Sequence, residues 1–162
     1  MRRTLGVLLL LGVMAGCSAP MLSSSERDWA KGKVAGPGLF SRPSDHTGER
    51  RILGGVILGV RQELGGATIR LLAYPLDKKY YPETGSPPLG PATILWTGPP
   101  LSTLFLSGNR IAVEGTVLPT EDKSDQRRTL RIKARILSPD TCVSAKGLTC
   151  QRTILGCRCE ND

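Results

Sequence analysis

The sequence predicts an all-β domain, on three observations. Two runs with period-two alternation flank a Gly-Gly turn, further short alternating runs follow, and Pro- and Gly-rich stretches separate them. In the first run Ile52, Val56, Leu58 and Val60 share one face with Gly54. Leu53, Gly55, Ile57, Gly59 and Arg61 share the other. After the turn Glu63-Leu64-Gly65-Gly66, the residues Ile69, Leu71 and Ala73 alternate against Thr68, Arg70 and Leu72. Gly54-Gly55 predicts a bulge or sharp bend, the device that lets a strand curl into a barrel.

The stretch from Asp77 to Pro91 carries Pro82, Pro87, Pro88 and Pro91, which excludes a central strand. Thr93 to Thr97 reads as a short third strand. Pro99-Pro100 then precedes Leu101, Leu104 and Phe105, an i, i+3, i+4 set suited to one or two helical turns. Ser107-Gly108-Asn109 would end them. Arg110 to Val117 is the fourth strand, with Ile111, Val113 and Val117 inward and Arg110, Glu114 and Thr116 outward. A charged turn, Glu121 to Arg128, leads to the fifth, Thr129 to Leu137, with Leu130, Ile132, Ala134 and Ile136 inward. Five strands with one short helix between the third and fourth is the element order of a small OB-like barrel. The barrel domain is placed at 49–138, and a cysteine-bearing tail follows at 139–162.

The amino terminus is a targeting segment. Arg2 and Arg3 precede the apolar run Leu5 to Met14 and then Ala15-Gly16-Cys17. The run is shorter than the roughly 20 residues a spanning helix needs, and its flanks fit a signal peptide over 1–16. Met-Ala-Gly-Cys resembles a bacterial lipobox, which implies a diacylglycerol and an N-acyl chain on Cys17. The alternative is an ordinary signal peptide that happens to contain a cysteine. Removing the segment takes the formal charge from +8 to +6. Two or more acyl chains give stable anchoring without a spanning segment. Ser18 stands where lipoproteins retained in the inner membrane often have Asp, so the outer membrane is the expected destination. Residues 17–48 read as the lipidated terminus and a flexible tether. Ser18 to Gly48 shows no sustained apolar period and, as a free coil, would reach roughly 30 Å. Trp29, Leu39 and Phe40 are its exceptions, suited to packing back on the barrel.

Four features together resemble the Slp family of starvation-inducible outer-membrane lipoproteins. They are the lipobox at Cys17, Gly54-Gly55-Val56-Ile57, Tyr74-Pro75-Leu76-Asp77, and Gly108-Asn109-Arg110-Ile111-Ala112-Val113-Glu114-Gly115. The resemblance covers the anchor and about Arg51 to Val117. It implies an envelope lipoprotein with an OB-like barrel, no catalytic residues, and a role linked to stress or stationary phase. Two departures stand out. Leu53 replaces the family's usual Trp before the Gly-Gly pair, and the chain ends in cysteines where relatives end in an aromatic-rich Tyr-Pro stretch.

That tail holds Cys142, Cys150, Cys157 and Cys159, an even number that in an exported chain reads as two disulfides with three possible pairings. A thiolate metal site and free or redox thiols are the alternatives. The spacing C-x7-C-x6-C-x-C lacks the C-x2-C knuckles of zinc sites, so no metal ligands are assigned. The second constellation is the fifth strand, where Arg131, Lys133 and Arg135 point outward after Arg127 and Arg128. Such a face can meet lipid phosphates, lipopolysaccharide or a glycan carboxylate, or it can be a solvated strand whose charge blocks edge aggregation.

Nucleic acid is not expected: single-strand binding wants aromatics among the cations, the fifth strand has none, and export removes the chain from that compartment. Catalysis is not expected either. His46 is the sole histidine, beside Asp45, and no Gly-x-Ser-x-Gly elbow or phosphate loop occurs. Asp77 and Glu83 are two acids in one loop and suggest no more than solvation. The expectation is therefore a lipid-anchored outer-membrane protein, without enzymatic activity or cofactor, acting as a structural element or adaptor for an envelope protein. The alternative is a binding module for an anionic envelope glycan or lipid through the fifth strand. Metal capture by the tail cysteines is the third reading.

Overall fold

The computed structural model describes residues 33–120 and 129–140, with 21, 22, 24, 25 and 28 before them and the backbone of 141–143, 149–153 and 156–158 after them. Five strands close into a barrel in the order β1-β2-β3-β5-β4. They are β1 (Arg50–Glu63), β2 (Gly66–Tyr74), β3 (Gly90–Thr97), β4 (Arg110–Val117) and β5 (Leu130–Pro139). All pairs are antiparallel except β3–β5, which run parallel. This is the OB-like arrangement the element order predicts. The barrel is filled by side chains, among them Leu53, Ile57, Ile69, Leu71, Ile94, Ile111, Val113 and Ile132.

The strand β1 is long enough to serve two partners. Its first half pairs with β4 from Arg50↔Thr116 to Val56↔Arg110. From Gly54↔Tyr74 to Glu63↔Gly66 it pairs with β2. Leu64-Gly65 closes the hairpin with Gly65 at φ +81°, a conformation glycine adopts at little cost. The register shift in β1 falls between Ile57 and Gly59, not at Gly54-Gly55 as expected. Leu58 is the extra residue and stands exposed, and beyond it the phase inverts. Val60 therefore packs against the interior cluster with Leu53 and Ile57, rather than sharing a face with Ile52. Gly54 and Gly55 instead allow close approach. A Cβ on Gly55 would stand 2.1 Å from the Leu72 carbonyl oxygen.

A second bulge sits in β5. Glu114 pairs with Ile136 and Gly115 with Ala134, leaving Arg135 as the extra residue. Leu137 then packs on the interior cluster, while Ile136, expected inside, joins an outer apolar patch. Glu114 points outward as expected but is fully buried, because its register neighbours Ile52 and Ile136 belong to that covered patch.

Strand β3 is longer than the sequence suggests and includes Pro91. Its pairing with β5 begins only at Ala92, so the missing N–H of Pro91 costs no bond on that side. The helical turns expected after Pro99-Pro100 are isolated turns instead, closed by Phe105 N–H to Ser102 O at 3.1 Å and Asn109 N–H to Leu106 O at 3.1 Å. A segment this short is marginal as a helix, and the Asn109 side-chain amide takes the Leu104 carbonyl at 2.9 Å. The short helix lies upstream: α1 (Pro37–Ser41), with Pro37 at its first turn, followed by a 3-10 turn at Pro43–His46.

That placement revises the tether. Ile52 N–H donates to Lys33 O at 2.8 Å and Ala35 N–H to Ile52 O at 2.7 Å, so Val34 bridges β1 in parallel. Ala35 and Leu39 are buried in the interior cluster, and Phe40 packs against it. Met21 and Leu22 are fully buried with Ile52 and Ala112, against Leu76, Tyr80, Tyr81 and Ile136. These apolar residues are too irregularly spaced to show a period, yet they fill grooves on the barrel. Trp29 and Cys17 lie outside the described residues.

In the tail, β6 (Thr141–Val143), β7 (Thr149–Thr153) and β8 (Gly156–Arg158) form an antiparallel three-stranded sheet in that order. Two acid–base clusters help hold the barrel ends. Arg110 Nε donates to Asp140 Oδ2 at 2.5 Å, tying the start of β4 to the end of β5. Glu49 is engaged by His46 Nδ1 at 3.0 Å and by Arg51. The His46 hydrogen bond, with the Arg51 charge behind it, holds the Glu49 carboxyl below its usual value against an opposing desolvation effect. His46 is thus part of an ion cluster on the folded domain.

Candidate anion-binding face

The outward residues of β1, β2, β3 and β5 line up in two rows. One row runs Gly59↔Arg70↔Thr93↔Arg131. The next runs Arg61↔Thr68↔Leu95↔Lys133↔Thr116. Arg70 and Arg131 are two strand spacings apart, about 10 Å, on either side of Thr93. A shallow cavity of about 430 Å³ opens here, lined by Gly59, Val60, Arg61, Thr68, Arg70 and Thr93. A Cβ on Gly59 would lie 3.2 Å from an Arg70 guanidinium nitrogen, so glycine gives Arg70 the space to lie across β1.

A second cavity of about 340 Å³ is lined by Trp96, Thr97, Thr116, Lys133, Ala134 and Arg135. Trp96 pairs with buried Ala134 and packs against the interior cluster, and it borders this cavity beside Lys133 and Arg135. Its indole N–H donates to Pro99 O at 2.9 Å, fixing the ring. Among the described residues Glu63 stands at this end of the sheet, where it receives Arg61 Nε at 2.9 Å and Thr68 Oγ1 at 3.1 Å. These two hydrogen bonds, Arg61 first, hold its carboxyl below the usual value. Arg61 is therefore committed to Glu63, whereas Arg70 and Lys133 are exposed cations at the two cavities. Outward cations and hydroxyls, with one fixed aromatic bordering the second cavity beside Lys133, can bind an anionic sugar: charge meets carboxylate or phosphate, and the indole meets the ring.

The three expected cations all lie on the outer surface of β5. Arg131 and Lys133 stay in row, and Arg135 sits at the bulge. Arg70, Thr68, Thr93 and Trp96 are the members sequence reasoning missed. The outward positions of Arg70, Thr68 and Thr93 were legible, but the parallel β3–β5 register that brings them beside β5 was not. Trp96, distant from the fifth strand in sequence, is its neighbour in space.

The other candidates separate from this face. Asp77 serves its own loop, accepting Lys79 N–H at 2.7 Å and Tyr81 N–H at 2.9 Å through Oδ1. In the tail, Cys142 stands opposite Cys150 in the β6–β7 register, Cys157 is opposite Arg152, and Cys159 lies outside the described residues. Among the described residues no group of three His, Cys, Asp or Glu side chains is placed to hold a metal ion. None of their helices is long and apolar enough to cross a membrane.

The segments behind the family resemblance meet at one point of the barrel. Gly54 pairs with Tyr74 on one side and Ala112 on the other. Leu76 and Pro82 close over it. The model of the outer membrane lipoprotein Slp family matches residues 14–131. The chain belongs to the Slp family. The match takes in Cys17, all of β1 to β4 and the start of β5, and it ends before the cysteine tail. Slp proteins are outer membrane lipoproteins, which gives this chain its location and its association with a membrane. No curated protein matches the sequence. Among solved structures, an aspartyl-tRNA synthetase chain from Leishmania major Friedlin is similar at 13% identity and a TM-score of 0.43. The similarity covers 75% of this chain and 23% of that one.

Proposed function

We propose that this Slp-family chain is a non-enzymatic module, acylated at Cys17, whose barrel binds an anionic envelope glycan through its outer basic face. The observation that supports it is the convergence of Arg70, Arg131 and Lys133 on the outer face of β2, β3 and β5, with Trp96 bordering the cavity beside Lys133. An acidic sugar polymer offers negative charge to those cations and ring surfaces to the indole. The full mature chain should bind lipopolysaccharide or polygalacturonate with an affinity that falls as salt rises. Replacing Arg70, Arg131 and Lys133 together by Ser should weaken binding at least tenfold while the chain stays folded. Unchanged binding by the triple variant would overturn the proposal.

A protein-adaptor role is the second reading, and one observation favours it. Leu58 and Leu106 are 48% and 58% exposed, and Ser107 Oγ donates to the Leu58 carbonyl, so the two leucines are near neighbours on the surface. Purification from solubilised envelopes separates the readings. A stoichiometric protein lost on Leu58→Ser with Leu106→Ser supports the adaptor, and co-purifying glycan lost on the triple cation variant supports the binder.

A further inference from the structure

The start of the mature chain is clamped to the barrel. Met21 N–H donates to Lys79 O at 2.8 Å, and Ser138 Oγ donates to Met21 O at 2.6 Å. Met21 and Leu22 are fully buried between the outer face of β1 and β4 and the 76–81 loop. Three residues, Ser18 to Pro20, lie between Cys17 and Met21, a span of four Cα steps. That length of chain reaches at most about 14 Å. The headgroup layer of one leaflet takes up about 6 Å of it.

We infer that the barrel is seated directly on lipid headgroups by the outer face around Met21, with exposed Lys33 and Lys78 at the rim meeting headgroup phosphates. The inference rests on acylation of Cys17 as proposed above. Lys33 flanks Ile52 through its carbonyl, and Lys78 adjoins the Lys79 carbonyl that holds Met21, so both border the clamp. The seat also fixes which way the basic face looks. Ile52 and Ala112 of the clamp lie on the adjoining strands β1 and β4, whereas the basic rows are centred on β3, across the closed ring from that pair. The anion-binding face is thereby turned from the bilayer the protein is anchored in, toward polymer in the space beyond it.

The test is amine acetylation of the acylated full chain on phosphatidylethanolamine–phosphatidylglycerol vesicles, read residue by residue by mass. Relative to a Cys17→Ser chain in buffer, Lys78 and Lys33 should label several-fold more slowly, and Lys133 should label equally. A long Gly-Ser insertion after Ser18, which alters none of the clamped residues, should restore Lys78 labelling while the protein still floats with vesicles. Equal Lys78 labelling in the acylated and Cys17→Ser chains overturns the seat and leaves the anchor standing. Protection that survives the insertion overturns the short link as its cause. A mature chain without acyl mass that fails to float overturns the anchor, and the seat with it.

Discussion

Leu76 Cδ2 fills the space above Gly54, 2.5 Å from where a Cβ would stand. The Ile111 carbonyl oxygen and Pro82 Cγ are each 3.1 Å from the same point. A methyl group at Gly54 must displace the loop that also shelters Met21. Gly54→Ala should cost about 1–3 kcal/mol in chemical denaturation, the usual range for overpacking. Gly55→Ala should cost more, because its contact is with the β2 backbone, which has no rotamer to change.

Ala35 and Leu39, upstream of β1, pack into the barrel cluster. Leu39 is 3% exposed within the barrel cluster. Leu39→Ala should therefore lower stability by about 2–5 kcal/mol, as for other buried leucines. A free tether would give no change in the same denaturation curve.

Stacking and charge should separate on the basic face. Trp96→Ala should weaken glycan binding by about 0.5–1.5 kcal/mol with little change in salt dependence, and Trp96→Phe should recover part of the loss. Arg70→Ser should instead flatten the salt dependence. Isothermal titration across a range of salt concentrations reads both.

Acid should loosen the His46–Glu49–Arg51 cluster. The folded Glu49 carboxyl titrates below its unfolded value of 4.5, so its contribution is present above that pH and is lost as pH falls through the lowered folded value. Glu49→Gln should be less stable than the parent at neutral pH, and the difference should shrink below about pH 4. Thermal midpoints across that range check the sign.

The tail should carry a Cys142–Cys150 crosslink. Residues opposite each other in an antiparallel pair have Cα atoms about 4.5–5.5 Å apart, within the disulfide range. Peptide mapping without reduction should recover these two cysteines joined, and a bridge over so short a loop contributes about 2–3 kcal/mol. Four reactive thiols in the unfolded, unreduced protein would exclude it.

Much of the barrel was legible because each strand writes its own alternation. Arg110–Val117 appears at the predicted limits. Phase errors arose only past Leu58 and Arg135, where one unpaired residue inverts the pattern and no local residue type announces it. The packing of Met21 and Leu22 was hidden for a different reason. Two adjacent apolar residues have no period, and their groove is built by strands distant in sequence. For the same reason the sequence offered three members of the basic face, left Arg70 out, and gave no sign of Trp96 beside them. Only the parallel β3–β5 pair puts them there.

That parallel pair also sets an order of events. A chain exported amino terminus first can form its β1–β2 hairpin early, since the two strands adjoin in sequence. The ring cannot shut until β5 arrives, because β5 alone joins β3 to β4. In the interval β3 presents an unpaired edge, the kind of template on which another chain can add. Self-association during secretion should therefore be most acute between delivery of Thr97 and of Leu137, and variants that weaken β5 should aggregate before they lose any ligand.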